Sequence, residues 1–183
     1  MNETREVVWS ALSWPGLEHV SISVRPGELS AEGRGIAVLD GVSTHVAYAL
    51  RTDRTGATRY VEITESGPFP TRSRTLHADG QGHWRDDTGP LPDLDGCLDV
   101  DISFTPCTNT LPIRRLGLAV GDARDIDVAY LAVPGLTVSH TRQRYRRLDC
   151  GYRYESEGFA ADLTVDDADV VIDYPDLWRR VWA

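Results

Sequence analysis

Residues 94–116 read LDGCLDVDISFTPCTNTLPIRRL, and they hold the one convincing helix signal in an otherwise strand-like chain. Asn109 or Thr110 can cap a helix, and Pro112 fits its first turn because the missing N–H would be unpaired there in any case. Gly117 can end the helix in a left-handed conformation. A helix this short is unstable alone, so the sequence predicts a helix over residues 110–117 that is held by packing.

Most of the remaining chain shows the period-2 alternation of half-buried strands. The clearest runs cover residues 19–24, 42–50, 60–65 and 159–166. Turn dipeptides such as Pro26-Gly27 and Asp40-Gly41 separate the runs at short intervals. This spacing predicts a mostly-β domain, either a barrel, a roll or a sandwich, that spans residues 1–183 as one unit. Residues 174–182 fit either a second helix or a terminal strand.

Composition excludes several classes of partner. The 183-residue chain carries a net charge of −9, whereas a general nucleic-acid binder needs a basic face to replace counterions. The same charge weakens attraction to anionic membranes. No nucleic-acid partner is therefore predicted.

The N-terminal residues and the cysteines indicate a compartment. The first residues, MNETREVVWSALSW, lack the basic and apolar regions of a secretory signal, and no apolar run approaches the ~20 residues that span a bilayer. Cys97, Cys107 and Cys150 are odd in number and show no CxxC spacing. We therefore expect a cytoplasmic protein with reduced thiols and no integral membrane segment.

One acidic pair and one basic pair stand out within residues 94–116. Asp99 and Asp101 lie two apart on a predicted strand, so their carboxyl groups share a face. Such a pair can perform acid–base chemistry, or it can form structural ion pairs with Arg114 and Arg115 in a polar core. No catalytic sequence motif occurs, and the five histidines show no ligand spacing. We expect no catalytic residues, metal or cofactor.

A second set of candidates lies in the C-terminal third, where arginines and tyrosines alternate. Arg142 and Arg144 share one strand face and suit a phosphate or a polar head group. Tyr145, Tyr152 and Tyr154 belong to an aromatic-rich region that could line a ligand pocket. The alternatives are a solvated arginine face paired to acidic residues, and tyrosines that belong to the core.

Four blocks of sequence together resemble the bacterial putative glycolipid-binding family. They are residues 94–116 quoted above, QRYRRL at 143–148, YRYES at 152–156 and DYPDLWRRV at 173–181. The resemblance implies a spiral β-roll, in which a many-stranded antiparallel sheet wraps around a single short central helix, and a homodimer. It also implies that Arg114 and Arg115 lie in or near the interior, with Asp99 and Asp101 as their nearest partners.

Three functions are compatible with these observations. The first is a non-enzymatic protein that binds a glycolipid or another amphiphilic small molecule through residues of the 142–154 region. The second is a small-molecule hydrolase or isomerase that uses Asp99 or Asp101 with Arg114 or Arg115. The third is a dimeric interaction protein without a ligand. An apolar cavity with few charges favours the first, an open cleft with a carboxylate of raised pKa favours the second, and a solid core favours the third.

Overall fold

The computed structural model describes residues 3–183, in which 15 strands form one continuous sheet. The strands are β1 (Glu3–Ala11), β2 (Gly16–Arg25), β3 (Glu28–Leu39), β4 (Val42–Thr52), β5 (Thr58–Ser66), β6 (Arg72–Ala78), β7 (Trp84–Asp86), β8 (Gly89–Pro90), β9 (Asp99–Ile102), β10 (Ala123–Leu131), β11 (Val138–Arg147), β12 (Tyr152–Ser156), β13 (Phe159–Val165), β14 (Val171–Tyr174) and β15 (Trp178–Trp182). Their order across the sheet is β8-β7-β6-β5-β4-β3-β2-β1-β15-β14-β13-β12-β11-β10-β9. Neighbours are antiparallel except β9 and β10, which are parallel. The predicted mostly-β class is confirmed.

The sheet curls until the edge strand β9 meets β5, near the opposite end of the strand order. Thr58 donates its backbone N–H to the carbonyl of Leu98 at 2.8 Å, and its hydroxyl accepts from the N–H of Val100 at 3.2 Å. Trp84 of β7 donates its indole N–H to the carbonyl of Cys97 at 2.8 Å. Strands β6 to β8 therefore continue past the contact between the two ends. This overlap is the spiral β-roll that the sequence resemblance implied.

The helix α1 (Thr110–Leu116) follows a 3₁₀ turn over Cys107–Asn109. It is the one α-helix among the described residues 3–183. Gly117 ends it at a φ of +52°, and its N–H donates to the carbonyl of Ile113 at 3.3 Å, as predicted. Asn109 does not form the predicted side-chain capping hydrogen bond to the helix, because the 3₁₀ turn already gives that residue helical dihedral angles. Buried Leu111 and Ile113 hold the helix against the inner face of the sheet.

Alternation along the strands builds the core, as expected. Val20 and Ile22 of β2, Val61 and Ile63 of β5, and Ala161 and Leu163 of β13 all point inward and are buried. Residues 174–182 form the last residue of β14, a turn over 175–177 and the strand β15, rather than a helix. Trp178 of β15 points inward and is 1% exposed, so this terminal strand is fixed by an aromatic anchor.

Candidate functional site

A cleft of about 450 Å³ opens into the roll beside the start of α1. Its aromatic and aliphatic lining consists of Ile102, Tyr130, Tyr154, Phe159, Tyr174, Leu177 and Trp178. Its polar lining consists of Asp101, Ser103, Thr105, Asn109, Thr141, Gln143, Ser156 and Glu157. A concave site with apolar walls and a few convergent polar groups has the usual composition of a small-molecule pocket.

One wall of the cleft is a cluster of aromatic rings centred on Tyr154. The ring centre of Tyr154 lies 6.1 Å from those of Phe159 and Tyr174, and 5.3 Å from that of Tyr145 behind them. Phe159 points to the same side of β13 as buried Ala161, yet it remains 37% exposed. The inner face of the sheet is thus open to solvent at Phe159, which marks the mouth of the cleft.

The floor of the cleft is a fixed network of polar side chains. Gln143 donates its amide N–H to Asp101 Oδ2 at 2.7 Å, and the Thr108 hydroxyl donates to Asp101 Oδ1 at 3.0 Å. The Tyr145 hydroxyl donates to Asn109 Oδ1 at 2.8 Å. Burial raises the pKa of Asp101, while the bonds from Gln143 and Thr108 lower it. The carboxyl group is therefore positioned by two donors from separate elements.

Asp99 lies outside this cleft and forms a buried ion pair with Arg115. Arg115 Nε lies 3.1 Å from Oδ1 and 3.2 Å from Oδ2, and Nη2 also donates to Oδ2. The Asp99 side chain is fully buried, and that of Arg115 is 15% exposed. Burial raises the pKa of Asp99, whereas Arg115 opposes the rise. This pair has the bidentate geometry expected of a structural contact.

Arg114 departs from the position that the resemblance implied. It is exposed and donates to the backbone carbonyl of Ala168 at 2.9 Å. Consecutive helix residues point about 100° apart, so one arginine of the pair turns inward and the other outward. The structure therefore joins Asp99 with Arg115, leaves Asp101 with Gln143 and Thr108, and does not assemble the four charged residues into one cluster.

The five predicted ligand residues also divide between the two faces of the sheet. Arg142 and Arg144 point outward, where their guanidinium groups lie 3.7 Å and 2.9 Å from Asp125. Tyr145 and Tyr154 point inward, and Tyr154 lines the cleft. Tyr152 is buried elsewhere, beneath the Arg147 guanidinium at 4.7 Å. One small ligand cannot contact both the arginines and the tyrosines, and the binding role of each residue stays a prediction.

The sequence interpretation did not select Gln143, Phe159, Tyr174 or Trp178 as site residues. Gln143 did carry a signal in the sequence. It lies on the same face of its strand as a buried tyrosine, and an amide group that points inward needs a polar partner. The aromatic residues carried no comparable signal, since a core ring and a pocket ring have the same strand position. Only the opening of the roll distinguishes them.

A second buried polar group, Glu18, lies in the core near the cleft floor. Its side chain is fully buried, and burial raises its pKa to about 8 despite the nearby hydroxyl groups of Thr105 and Tyr48. These two hydroxyls are 3.0 Å apart, and Thr105 Oγ1 also accepts the N–H of Cys107 at 3.0 Å. Thr105 itself lines the cleft, so this network lies directly behind the cleft wall.

No cluster of three or more His, Cys, Asp or Glu side chains suited to a metal ion is present among residues 3–183. Across that same range, no helix has both the length and the hydropathy needed to cross a bilayer. Cys97 and Cys107 are buried and Cys150 is exposed, and all three are free thiols.

Comparison with known proteins identifies the family. A family model described as "Putative glycolipid-binding" matches residues 6–180. The chain is similar to a DUF1089 family protein from Pseudomonas aeruginosa, whose crystal structure superposes with a TM-score of 0.79. The two are 38% identical, and the match covers 90% of this chain and 92% of that chain. No curated protein matches the chain. Because the family model covers nearly its whole length, the chain belongs to the putative glycolipid-binding family.

Proposed function

We propose that the protein binds a glycolipid or a similar amphiphile in the cleft, without changing it chemically. The observation that carries this proposal is the meeting of the aromatic wall around Tyr154 with the polar floor around Asp101 in one cleft of about 450 Å³. Aromatic rings and aliphatic side chains suit an acyl chain or the apolar face of a sugar. Fixed amide, hydroxyl and carboxyl groups suit the hydroxyls of a head group. The family description agrees with this pairing.

Native mass spectrometry of the purified protein, followed by organic extraction and lipid analysis, tests the proposal. We expect a stoichiometric amphiphile that carries a sugar or another hydroxyl-rich head group. Phe159→Ala should lose it, because this substitution removes the ring at the mouth of the cleft. Phe69→Ala is the matched control, since Phe69 packs under Arg72 in the turn after β5. Protein that is free of ligand and binds none on titration would contradict the proposal.

One observation favours an enzyme as the second candidate. Asp101 faces an open cleft and its pKa is raised, which is typical of a carboxyl group used in acid–base chemistry. The arginines expected to assist it are elsewhere, because Arg115 is bound to Asp99 and Arg114 to Ala168. Product analysis of extracted amphiphiles after incubation with the protein separates the two functions. Hydrolysis or isomerisation that Asp101→Asn abolishes would establish the enzyme.

We further propose a homodimer that forms through an apolar outer patch of Leu17, Ile36 and Val38. Leu17 and Ile36 pair directly across β2 and β3, and they are 52% and 56% exposed. Val38 lies two residues further along the same face of β3 and is 39% exposed. Contiguous exposed aliphatic side chains on a sheet face are typical of an interface. A dimer whose cleft stays empty would instead support an interaction role without a ligand.

A further inference from the structure

We infer that the cleft selects an uncharged, hydroxyl-rich head group over an anionic one, and that Asp101 is the residue that determines this selectivity. The inference rests on the proposed binding function and specifies the chemistry of its ligand. Glycolipids include both neutral and acidic head groups, so the family description leaves this choice open.

Among the described residues, the cleft lining contains no arginine or lysine. Its charged residues are Asp101 in the floor and Glu157 in the turn at the mouth. Both charged groups are acidic. A phosphate, sulfate or carboxylate head group would therefore lie close to carboxylates without a compensating cation, and like charges brought together in this way oppose binding.

The arginines on the neighbouring elements are directed away from the cleft. Strand β11 supplies Gln143 to the cleft, but its alternation sends Arg142 and Arg144 to the outer face, where Asp125 holds them. On α1, Arg115 is bound to buried Asp99. A cation from these elements could reach the cleft only by breaking these contacts.

Both carboxyl oxygens of Asp101 are bonded to side-chain donors. The Thr108 hydroxyl accepts the N–H of Ile102 at 3.3 Å and donates to Asp101 Oδ1 at 3.0 Å, which is nearer than its other acceptor, the Thr105 carbonyl at 3.5 Å. Gln143 donates to the other carboxyl oxygen. Both oxygens therefore act as acceptors, which is the arrangement of an ionised carboxylate. A carboxylate has about four acceptor positions, so it can still accept from ligand hydroxyls, whereas the fully ionised phosphate monoester that predominates at pH 8 has no proton to offer.

The remaining polar lining matches a neutral, hydroxyl-rich group. Thr141 and Ser156 contribute hydroxyls, each of which can donate and accept, whereas the Ser103 hydroxyl is already bonded to the backbone of Val133. Gln143 has a second amide N–H and a carbonyl oxygen beyond its bond to Asp101. Sugar hydroxyls also donate and accept, so this set satisfies them without a charge on either side.

Isothermal titration with two amphiphiles of equal chain length, dodecyl β-D-maltoside and dodecyl phosphate, tests the inference. Both are used below their micelle concentrations at pH 8 and physiological salt, and dodecyl phosphate is also tested as a competitor of the maltoside. We expect the maltoside to bind at least tenfold more tightly, and the phosphate to compete poorly. Asp101→Asn should reduce that ratio severalfold. Asp125→Asn, which changes a carboxylate on the outer face, should leave it unchanged.

A second variant guards against poor folding of Asp101→Asn. Ser156→Arg adds a cation at the rim of the cleft and should increase the affinity for dodecyl phosphate. Equal or tighter binding of the phosphate by the wild-type protein would overturn the inference and leave the binding function intact. A ratio of the two affinities that neither variant changes would also overturn the inference and leave the binding function intact. Failure of the wild-type protein to bind either amphiphile would overturn the inference and the proposed function together.

Discussion

Gln143 donates a 2.7 Å hydrogen bond to Asp101, and this bond joins two strands that are not neighbours in the sheet. Asp101 belongs to β9 and Gln143 to β11, and β10 lies between them. The bond spans the concave side of the roll and fixes the carboxyl group at the cleft floor. It therefore links the curvature of the sheet to the geometry of the site.

Loss of this bond should weaken both the fold and the site. Gln143→Ala leaves the Asp101 carboxylate with one of its two side-chain donors, so we expect a loss of about 1–3 kcal/mol in the free energy of unfolding. Urea denaturation followed by tryptophan fluorescence measures this loss. Arg142→Ala, on the exposed neighbouring position of β11, is the control and should cost less than ~1 kcal/mol. Equal stabilities of the two variants would show that the bond contributes nothing.

Asp99→Ala should destabilise the protein much more strongly. The substitution leaves the Arg115 guanidinium, which is 15% exposed, without its bidentate partner. Removal of one member of a buried ion pair costs about 3–5 kcal/mol, because an uncompensated charge remains. Chemical denaturation measures the effect, with Asp125→Ala as an exposed-pair control. A loss near zero for Asp99→Ala would mean that solvent reaches Arg115 freely.

The fold was largely predictable because its signals are local. Gly117 ends the helix where its conformational freedom predicted, and the alternation in residues 19–24 and 159–166 matches the burial of Val20, Ile22 and Leu163. Strand order was not predictable from the residues alone, since alternation shows which side of a strand is buried but not which strand is its neighbour. The parallel pairing of β9 with β10 depends on this long-range arrangement.

The site was less predictable, for a physical reason. Alternation separates Arg144 from Tyr145, but it does not show which face of β11 is enclosed by the roll. The burial of Glu18 was not predictable from alternation either. The residue shares a face with Val20 and Ile22, but a carboxyl group in that position of the sequence predicts the exposed end of a strand. The structure shows that it is fully buried.

The proposed dimer predicts a change of oligomeric state without a change of fold. Ile36→Arg places a charge in the middle of the apolar outer patch, where two copies would have to bury it. We expect the wild-type protein to sediment as a dimer in analytical ultracentrifugation and the variant as a monomer with an unchanged circular dichroism spectrum. Val120→Arg is the control, since Val120 is 60% exposed but lies between α1 and β10, outside the patch. A wild-type monomer, or a dimer that Ile36→Arg does not affect, would exclude this interface.

Glu18 should make the stability of the protein fall as pH rises from about 5 to 8. Its pKa is about 8 in the folded protein against 4.5 without burial, so across this window the folded state retains a proton that the unfolded state has released. The contribution is full below the unfolded pKa, declines through the window and is lost above the folded pKa. It amounts to roughly 5 kcal/mol. The neighbouring Tyr48 and Cys107 stay neutral, because burial raises the pKa of both groups.

Glu18→Gln has no proton to lose, so the difference in urea-unfolding free energy between the wild-type protein and this variant isolates Glu18. That difference should shift against the wild-type protein between pH 5 and pH 9, whereas a constant difference would mean that Glu18 reaches solvent or a cation in the folded state.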